Sequence, residues 1–286
     1  LTLTAAQAAG KTISNALGGD TDGSVVITGL DGAAGYDLSN ISSTSGTVTA
    51  TLAASATLDA GTDLGNTVVT VADGQTLTLT AAQAAGKTIS NALGGDTDGS
   101  VVITGLDGAA GYDLSNISST SGTVTATLAA SATLDAGTDL GNTVVTVADG
   151  QTLTLTAAQA AGKTISNALG GDTDGSVVIT GAVAGTSYDF SNISSTSGTI
   201  SLAYATGGTL NGGTNLGTAT VTVADGQTLT LTAAQAAGKT ISNALGGDTD
   251  GSVVITGLDG AAGYDLSNIS STSGTVTATL AASATL

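Results

Sequence analysis

Polar and apolar residues alternate strictly in several short stretches of the chain. Residues 76–80 (Thr-Leu-Thr-Leu-Thr) and 47–52 (Thr-Val-Thr-Ala-Thr-Leu) place every second side chain on the same face. This period of two is typical of a β-strand with one buried face and one solvated face. Residues 81–85 (Ala-Ala-Gln-Ala-Ala) are the best helical candidate, but five residues between β-branched runs cannot form a helical repeat. The pattern therefore predicts an all-β chain.

The predicted strands recur because the sequence itself repeats. Residues 77–152 are identical to residues 1–76, and residues 229–286 are identical to residues 1–58. The third copy matches the first through Gly181 and diverges until Val221. We predict one continuous solenoid that consists of the copies 1–76, 77–152, 153–228 (divergent) and 229–286 (partial).

Each copy divides into three coils. Similar corner motifs end at Asn15, Asn40, Asn66 and Asn91, so the spacing between successive corners is nearly constant. Strand-like runs at this period predict a single-chain β-solenoid, or β-helix, with about three coils of 25–26 residues per 76-residue repeat.

The recurring corner glycines align the coils and predict the core. Gly at the corner is expected to supply positive φ, and the aligned asparagines predict an internal Asn ladder. The third copy keeps the core positions apolar or aromatic, with Phe190, Ile200, Leu202 and Tyr204. Alignment on Gly35, Gly61 and Gly86 predicts two aliphatic ladders, namely Val26, Leu52 and Leu77, and Leu38, Leu64 and Ile89.

The composition suits thin stacked layers and excludes several functions. The 286 residues include 43 Gly, five Tyr and one Phe, with no Trp, Met, Cys or Pro, so small aliphatic side chains must form the core. All 22 acidic residues are Asp, and four Lys leave a net charge of −18. This charge disfavours nucleic acid and anionic membrane surfaces as partners. Membrane insertion is also excluded, because no apolar run approaches the roughly 20 residues that span a bilayer.

The residue types that remain allow little catalysis. His, Cys and Glu are absent, which excludes Ser-His-Asp, Cys-His and zinc-histidine sites. Two Asp could serve as acid and base in polysaccharide cleavage. However, every Asp of the first copy recurs in the second, whereas active sites are normally singular. We predict that the chain is not an enzyme. The alternative is a carbohydrate-binding or carbohydrate-cleaving β-helix that takes surface glycans in a groove around Tyr188, Phe190 and Tyr204.

The Asp pattern suggests calcium as a cofactor. Two Asp one residue apart, followed by Gly, resemble half of a calcium loop. The coil alignment also stacks other Asp about 4.8 Å apart, where a cation, a shifted pKa or outward splay is needed. Turn-capping surface Asp are the alternative, which the third copy favours because Val183, Asn211 and Asn215 replace Asp. The candidate ligands are Asp20, Asp22, Asp37, Asp63, Asp73, Asp96, Asp98, Asp113, Asp139, Asp149, Asp172, Asp174, Asp248 and Asp250.

Two further patterns have structural interpretations. Each copy carries one Lys, and we interpret these four residues (Lys11, Lys87, Lys163 and Lys239) as solvated side chains that discourage edge aggregation. The alternative is that this sparse row of Lys attracts an acidic neighbouring filament. Stacked Thr-x-Thr rows could bind ice. The alignment disfavours this function, because it places Val25, Ile27 and Gly29 beside the Thr residues of 76–80.

The sequence has the style of a known class of repeats. Residues 71–84 (Val-Ala-Asp-Gly-Gln-Thr-Leu-Thr-Leu-Thr-Ala-Ala-Gln-Ala), 87–91 (Lys-Thr-Ile-Ser-Asn) and 36–41 (Tyr-Asp-Leu-Ser-Asn-Ile) resemble the tandem β-solenoid repeats of very large secreted bacterial surface proteins and adhesins. The resemblance extends over the whole chain. It implies an extracellular or cell-surface location, type I-like secretion and frequent calcium loading. The expected function is a structural or adhesive rod that self-associates or continues as an array.

Overall fold

A computed structural model describes residues 1–14, 23–91, 97–167, 173–243, 249–260 and 263–282. The chain is all-β with 6% helix, and its parallel strands stack as a β-solenoid of about 11 turns. The predicted fold class is confirmed.

Most elements of the described residues are short strands, and a one-turn helix follows the first strand of each copy. The first copy and its junction with the second contain β1 (Thr2–Thr4), α1 (Ala5–Ala8), β2 (Ile13–Ser14), β3 (Val25–Thr28), β4 (Ile41–Ser42), β5 (Val48–Leu52), β6 (Ala56–Thr57), β7 (Val68–Val71) and β8 (Thr76–Thr80). The second copy continues with α2 (Ala81–Ala84), β9 (Ile89–Ser90), β10 (Ser100–Thr104), β11 (Ile117–Ser118), β12 (Val124–Leu128), β13 (Ala132–Thr133), β14 (Val144–Val147) and β15 (Thr152–Thr156).

The same elements recur in the remaining copies. The third copy contains α3 (Ala157–Ala160), β16 (Ile165–Ser166), β17 (Ser176–Ala182), β18 (Ile193–Ser194), β19 (Ile200–Tyr204), β20 (Gly208–Thr209), β21 (Thr220–Val223) and β22 (Thr228–Thr232). The partial copy contains α4 (Ala233–Ala236), β23 (Ile241–Ser242), β24 (Ser252–Leu258), β25 (Ile269–Ser270) and β26 (Val276–Leu280).

The chain forms two compact units, Leu1–Ala129 with Gly137–Thr146, and Ala130–Ala136 with Val147–Leu286. In the first unit, parallel strands pair in the orders β1-β3-β5-β7-β9-β11 and β6-β8-β10-β12. In the second unit, the orders are β13-β15-β17-β19-β21-β23-β25 and β20-β22-β24-β26. Paired strands are second neighbours along the chain, so each ladder joins successive turns of the solenoid.

The register between turns is uneven, and this overturns one predicted ladder. Leu3 pairs with Ile27, Ile27 with Ala50, and Ala50 with Val69, so the step along the chain shortens from one turn to the next. The uniform alignment is therefore wrong by one residue at Val26, which is 40% exposed beside the fully buried Ile27. A slip of one residue moves a strand's side chains to the opposite face. Leu52 and Leu77 are buried but pair with Val71 and Ala56, not with each other.

The second predicted ladder is confirmed in part. Leu38, Leu64 and Ile89 are all buried, and the Leu38 amide donates to the Asp63 carbonyl at 2.8 Å, so Leu38 and Leu64 occupy successive turns. Ile89 belongs to a different ladder, in which it pairs with Val69 and Ile117.

The corner glycines do not share one conformation. Only Gly86 of the three aligned residues has positive φ, at 68°. At Gly35, glycine is needed for close approach, because an added Cβ would lie 3.0 Å from the Gly61 carbonyl carbon. The common positive-φ corner is therefore wrong.

The predicted internal Asn ladder is also wrong. Asn40 and Asn66 are exposed, whereas Asn91 is fully buried; Asn15 lies outside the described residues. The buried asparagine occurs once per repeat. At Asn167, the side-chain oxygen accepts from the Val147 amide at 3.1 Å and the nitrogen donates to the Gly175 carbonyl at 3.0 Å. Asn167 therefore satisfies backbone groups on both sides, whereas neither polar atom of the Asn91 side chain has a partner within the described residues.

The divergent third copy repacks its core as predicted. Phe190, Leu202 and Tyr204 are fully buried and Ile200 is 7% exposed. Tyr204 pairs with Ala182, at positions where the partial copy pairs two leucines, so a large side chain faces a small one. The larger side chain is thus offset by a smaller neighbour, which avoids overpacking.

Candidate functional site

A polar groove lies at the corner between successive turns and recurs in the repeat. We call it the corner groove. In the first unit it has a volume of about 340 Å³, and in the second unit about 650 Å³. Its polar lining residues are Thr62, Asp63, Thr80, Gln83 and Lys87 in the first unit, and Thr214, Asn215, Thr232, Gln235 and Lys239 in the second.

A one-turn helix positions the glutamine of this groove. Thr80 caps α2: its hydroxyl accepts from the Gln83 amide at 3.2 Å, and Gln83 Oε1 accepts from the Thr80 amide at 3.0 Å. This reciprocal capping box leaves Nε2 to reach the preceding turn. There it donates to the carbonyls of Asp59 at 2.7 Å and Thr62 at 3.2 Å. Gln83 therefore clamps two turns together.

The glutamine clamp recurs once per repeat, and it was not predicted from the sequence. Gln159 donates to the Asp135 carbonyl and Gln235 to the Asn211 carbonyl, each at 2.8 Å. The Thr-x-x-Gln spacing at the start of each helix was the available signal, because it is the pattern of a capping box.

The lysine of the groove is engaged by the preceding turn. Lys87 Nζ donates to the Gly65 carbonyl at 2.8 Å and lies 3.8 Å from Asp63 Oδ1. Lys239 Nζ donates to the Gly217 carbonyl at 2.7 Å. The interpretation as solvated side chains is therefore wrong for Lys87 and Lys239. The Asp63 carboxylate is 57% exposed, so the ion pair itself contributes little and the bond to the carbonyl matters more.

The predicted stacking of Asp37 on Asp63 is confirmed, because the two residues form a parallel bridge. Each carboxylate is turned toward its own backbone. Asp37 Oδ1 accepts from the Ser39 amide at 3.0 Å and its hydroxyl at 2.5 Å, and Asp63 Oδ1 accepts from the Gly65 amide at 2.9 Å. The Ser39 hydroxyl, followed by the amide, lowers the pKa of Asp37. Equivalent turns form at Asp31, Asp59, Asp107, Asp113, Asp139, Asp189 and Asp265.

A second group of carboxylates is buried. Asp98 is 7% exposed, and its Oδ2 accepts from the amides of Thr120 at 3.0 Å and Ser121 at 2.9 Å. Asp174 and Asp250 make the same pair of bonds. The predicted stacking of Asp73 on Asp98 is wrong, because the Gly74 amide bonds to the Thr97 carbonyl and shifts the register by one residue. Asp73 and its repeat Asp149 are exposed.

The described part of the chain contains no cluster of three or more carboxylates that could hold a calcium ion. In the third copy, Asn211 and Asn215 accept from the amides of Gly213 and Gly217, at 2.9 and 3.1 Å. The neutral Asn side chain thus accepts the same hydrogen bond as Asp. The turn requires a hydrogen-bond acceptor but does not require a charge. The predicted ligands Asp20, Asp22, Asp96, Asp172 and Asp248 lie outside the described residues.

The aromatic residues of the third copy do not line an open groove. Tyr188 is 7% exposed, and Phe190 and Tyr204 are fully buried. The Tyr188 and Phe190 rings stack with centroids 5.6 Å apart. The expected groove around these three residues is wrong, because their side chains fill the core. The Tyr204 hydroxyl has no partner within the described structure, and burial raises the pKa of Tyr204.

The alignment that disfavoured ice binding is wrong by one residue. Thr76 pairs with Ser100, Thr78 with Val102 and Thr80 with Thr104. Hydroxyl groups therefore follow one another more often than expected. Val102 still interrupts the central row.

Comparisons with protein-family models, with curated proteins and with solved structures found no match to this chain. Among the described residues, no helix has the length and apolar character that a membrane-spanning segment requires.

Proposed function

We propose that the chain is a non-enzymatic structural or adhesive filament segment of a giant repetitive extracellular or cell-surface protein. The observation that carries this proposal is the corner groove. The polar side chains that could serve as a binding or catalytic site are used there to join one turn to the next. Gln83 and Lys87 both donate to backbone carbonyls of the preceding turn.

Identical repetition supports the same proposal. The glutamine clamp recurs at Gln83, Gln159 and Gln235, so each added copy supplies the same cohesive contacts. In repeat proteins of this kind, stability and length grow approximately by addition of units. A spacer needs that property, whereas an active site gains nothing from it.

Deletion and duplication of one copy test the structural function. Removal of residues 77–152 is expected to leave the circular dichroism per residue unchanged, and insertion of another identical copy likewise. The contour length, measured by atomic force microscopy or small-angle scattering, is expected to change by the same increment in both variants. Loss of structure on deletion, or a length that does not follow copy number, would contradict the proposal.

The adhesive role calls for a separate measurement. The full chain is compared on a glycan array with a variant in which residues 153–228 are replaced by the sequence of residues 1–76. Binding that disappears in the variant would assign glycan recognition to the third copy. Equal silence from both chains removes surface glycans as partners and leaves the structural role.

Calcium stabilisation is tested by thermal unfolding. The proposal of a calcium-stabilised filament predicts a higher Tm in millimolar calcium, reversed by EDTA. An unchanged Tm in both solutions would eliminate the cation, and it would leave the filament proposal in place because the described turns are bonded without one.

A further inference from the structure

The third copy differs from the first at exposed positions of the corner. Val183, Asn211 and Asn215 stand where the first copy has Asp31, Asp59 and Asp63, and Lys239 repeats Lys87. We call Val183, Asn211, Asn215 and Lys239 the third-copy patch. Its first three residues are exposed, and Val183 retains 50% of its accessible surface.

The patch is contiguous over successive turns. The Asn211 amide donates at 2.7 Å to the carbonyl of Ala184, the residue that follows Val183, and the Asn211 side-chain nitrogen donates to the Gly185 carbonyl at 3.1 Å. Gln235 donates to the Asn211 carbonyl at 2.8 Å, and Asn215 and Lys239 line one groove.

The substitutions remove most of the local negative charge. Asp31, Asp59, Asp63 and Lys87 carry a formal charge of −2, whereas Val183, Asn211, Asn215 and Lys239 carry +1. The carboxylates of the two adjacent turns remain, but Asp189 accepts from the Ser191 amide and Asp265 from the Ser267 amide, so each is turned toward its own backbone. On a chain of net charge −18, like-charge repulsion opposes lateral contact between copies. That repulsion is weaker at the third-copy patch.

We infer that the third-copy patch docks a second copy of this chain, which presents the acidic corner formed by Asp31, Asp59 and Asp63. The inference rests on the proposed function as a filament and names the partner surface. Charge complementarity supports the choice, because Lys239 would face carboxylates while Val183 and the two amides replace groups that would repel them. The two surfaces are different patches of the same chain, so the contact is heterologous and can propagate into an open assembly.

Sedimentation equilibrium of the full chain at 0.15 M salt tests the docking. The weight-average mass of the natural chain is expected to rise with concentration. Restoration of the first-copy residues by V183D/N211D/N215D is expected to weaken association by about tenfold or more. The variant should fold, because Asp occupies these positions in the identical copies, and circular dichroism checks this.

Two further variants make the result specific. T51D/A53D/A54D adds the same three charges at exposed positions outside the patch, and it is expected to associate nearly as the natural chain does. Neutralisation of both acidic corners by D31N/D59N/D63N/D107N/D135N/D139N is expected to weaken association, because the partner carboxylates are removed.

Three results would overturn the inference. These are a natural chain that stays monomeric, equal weakening by the two charge-adding variants, or stronger association after the acidic corners are neutralised. None of them affects the relation between length and copy number, so failure of the docking site is distinguishable from failure of the proposed function.

Discussion

The first and third copies form the same corner with different residues, and the difference separates what the fold requires from what it tolerates. Asp59 and Asn211 each accept a bond from the amide two residues further on, at 2.8 and 2.9 Å. Asp63 and Asn215 do the same. The charge is lost while the acceptor is kept. The corner therefore selects for hydrogen-bond geometry, and the charge is available for other purposes, such as keeping chains apart.

The two copies also solve one steric problem in opposite ways. A Cβ on Gly32 would lie 1.9 Å from the Thr57 carbonyl oxygen, yet Ala184 occupies the equivalent position in the third copy. There Gly208 replaces Ala56 and adopts a φ of 144°. The glycine therefore lies on one turn in the first copy and on the neighbouring turn in the third copy.

Gly32→Ala should have the largest effect on stability. We expect a loss of about 3 kcal/mol in the free energy of unfolding, because the added methyl group overlaps a backbone oxygen. The double variant G32A/A56G should recover part of this loss, as the third copy does. Urea unfolding of the two single variants and the double variant measures the coupling. Simple additivity would show that the two substitutions do not compensate each other.

Gln83→Ala should have the next largest effect. It removes a capping-box acceptor and the clamp to the preceding turn, so we expect a cost of about 1–2 kcal/mol. Gln235→Ala should cost about the same, because Gln235 has both the cap at α4 and the clamp to Asn211 of the third copy. Amide hydrogen exchange should show faster exchange at the affected corner. Unchanged exchange there would mean that the clamp does not hold the turns together.

Tyr204→Phe should have a smaller effect of opposite sign. The buried hydroxyl has no partner in the described structure, so its removal should stabilise the chain by about 1 kcal/mol. The matched control is Tyr188→Phe, which alters a more accessible ring in the same copy. A lower Tm for the Tyr204 variant would indicate that the hydroxyl is hydrogen-bonded.

Acidification should have the smallest effect per residue on the free energy of unfolding, because the carboxylates concerned are exposed. Hydrogen bonds lower the pKa of Asp31, from the Tyr36 hydroxyl first, and of Asp37. A lowered pKa in the folded state means that the stabilisation is complete above the ordinary carboxyl range. It is lost as the pH falls below about 3.9 through the folded values. The variant D31N/D107N should show a shallower fall of Tm between neutral and acidic pH; an identical slope would contradict this assignment.

The all-β class and most of the core could be predicted from the sequence, because strand alternation and tandem repetition are strong local signals. The register could not. Val26 and Ile27 are both aliphatic, and only the pairing of Ile27 with Leu3 in the preceding turn decides which one is buried. The sequence alignment assumed the same number of residues in every turn. Because the turns differ in length, it placed some strands one residue out of register.

The candidate site was predictable only in part. The stacking of Asp37 on Asp63 followed from the spacing of their corners, since both lie two residues after a glycine at an equivalent turn. The roles of Gln83 and Lys87 depend on contacts with the preceding turn, about 22 residues away along the chain. No local sequence pattern indicates those partners, although the Thr-x-x-Gln spacing of the capping box indicates the helix.

The unequal steps between turns have a consequence for folding. A turn that pairs with the wrong neighbour meets a step of the wrong length and exposes its apolar face, so such a pairing is unfavourable. A shift by a whole 76-residue copy meets no such penalty where the copies are identical. The divergent third copy breaks this degeneracy, since Tyr204 fits opposite Ala182 and overfills a site built for two leucines. A pairing shifted by one whole copy is therefore disfavoured where it involves the third copy.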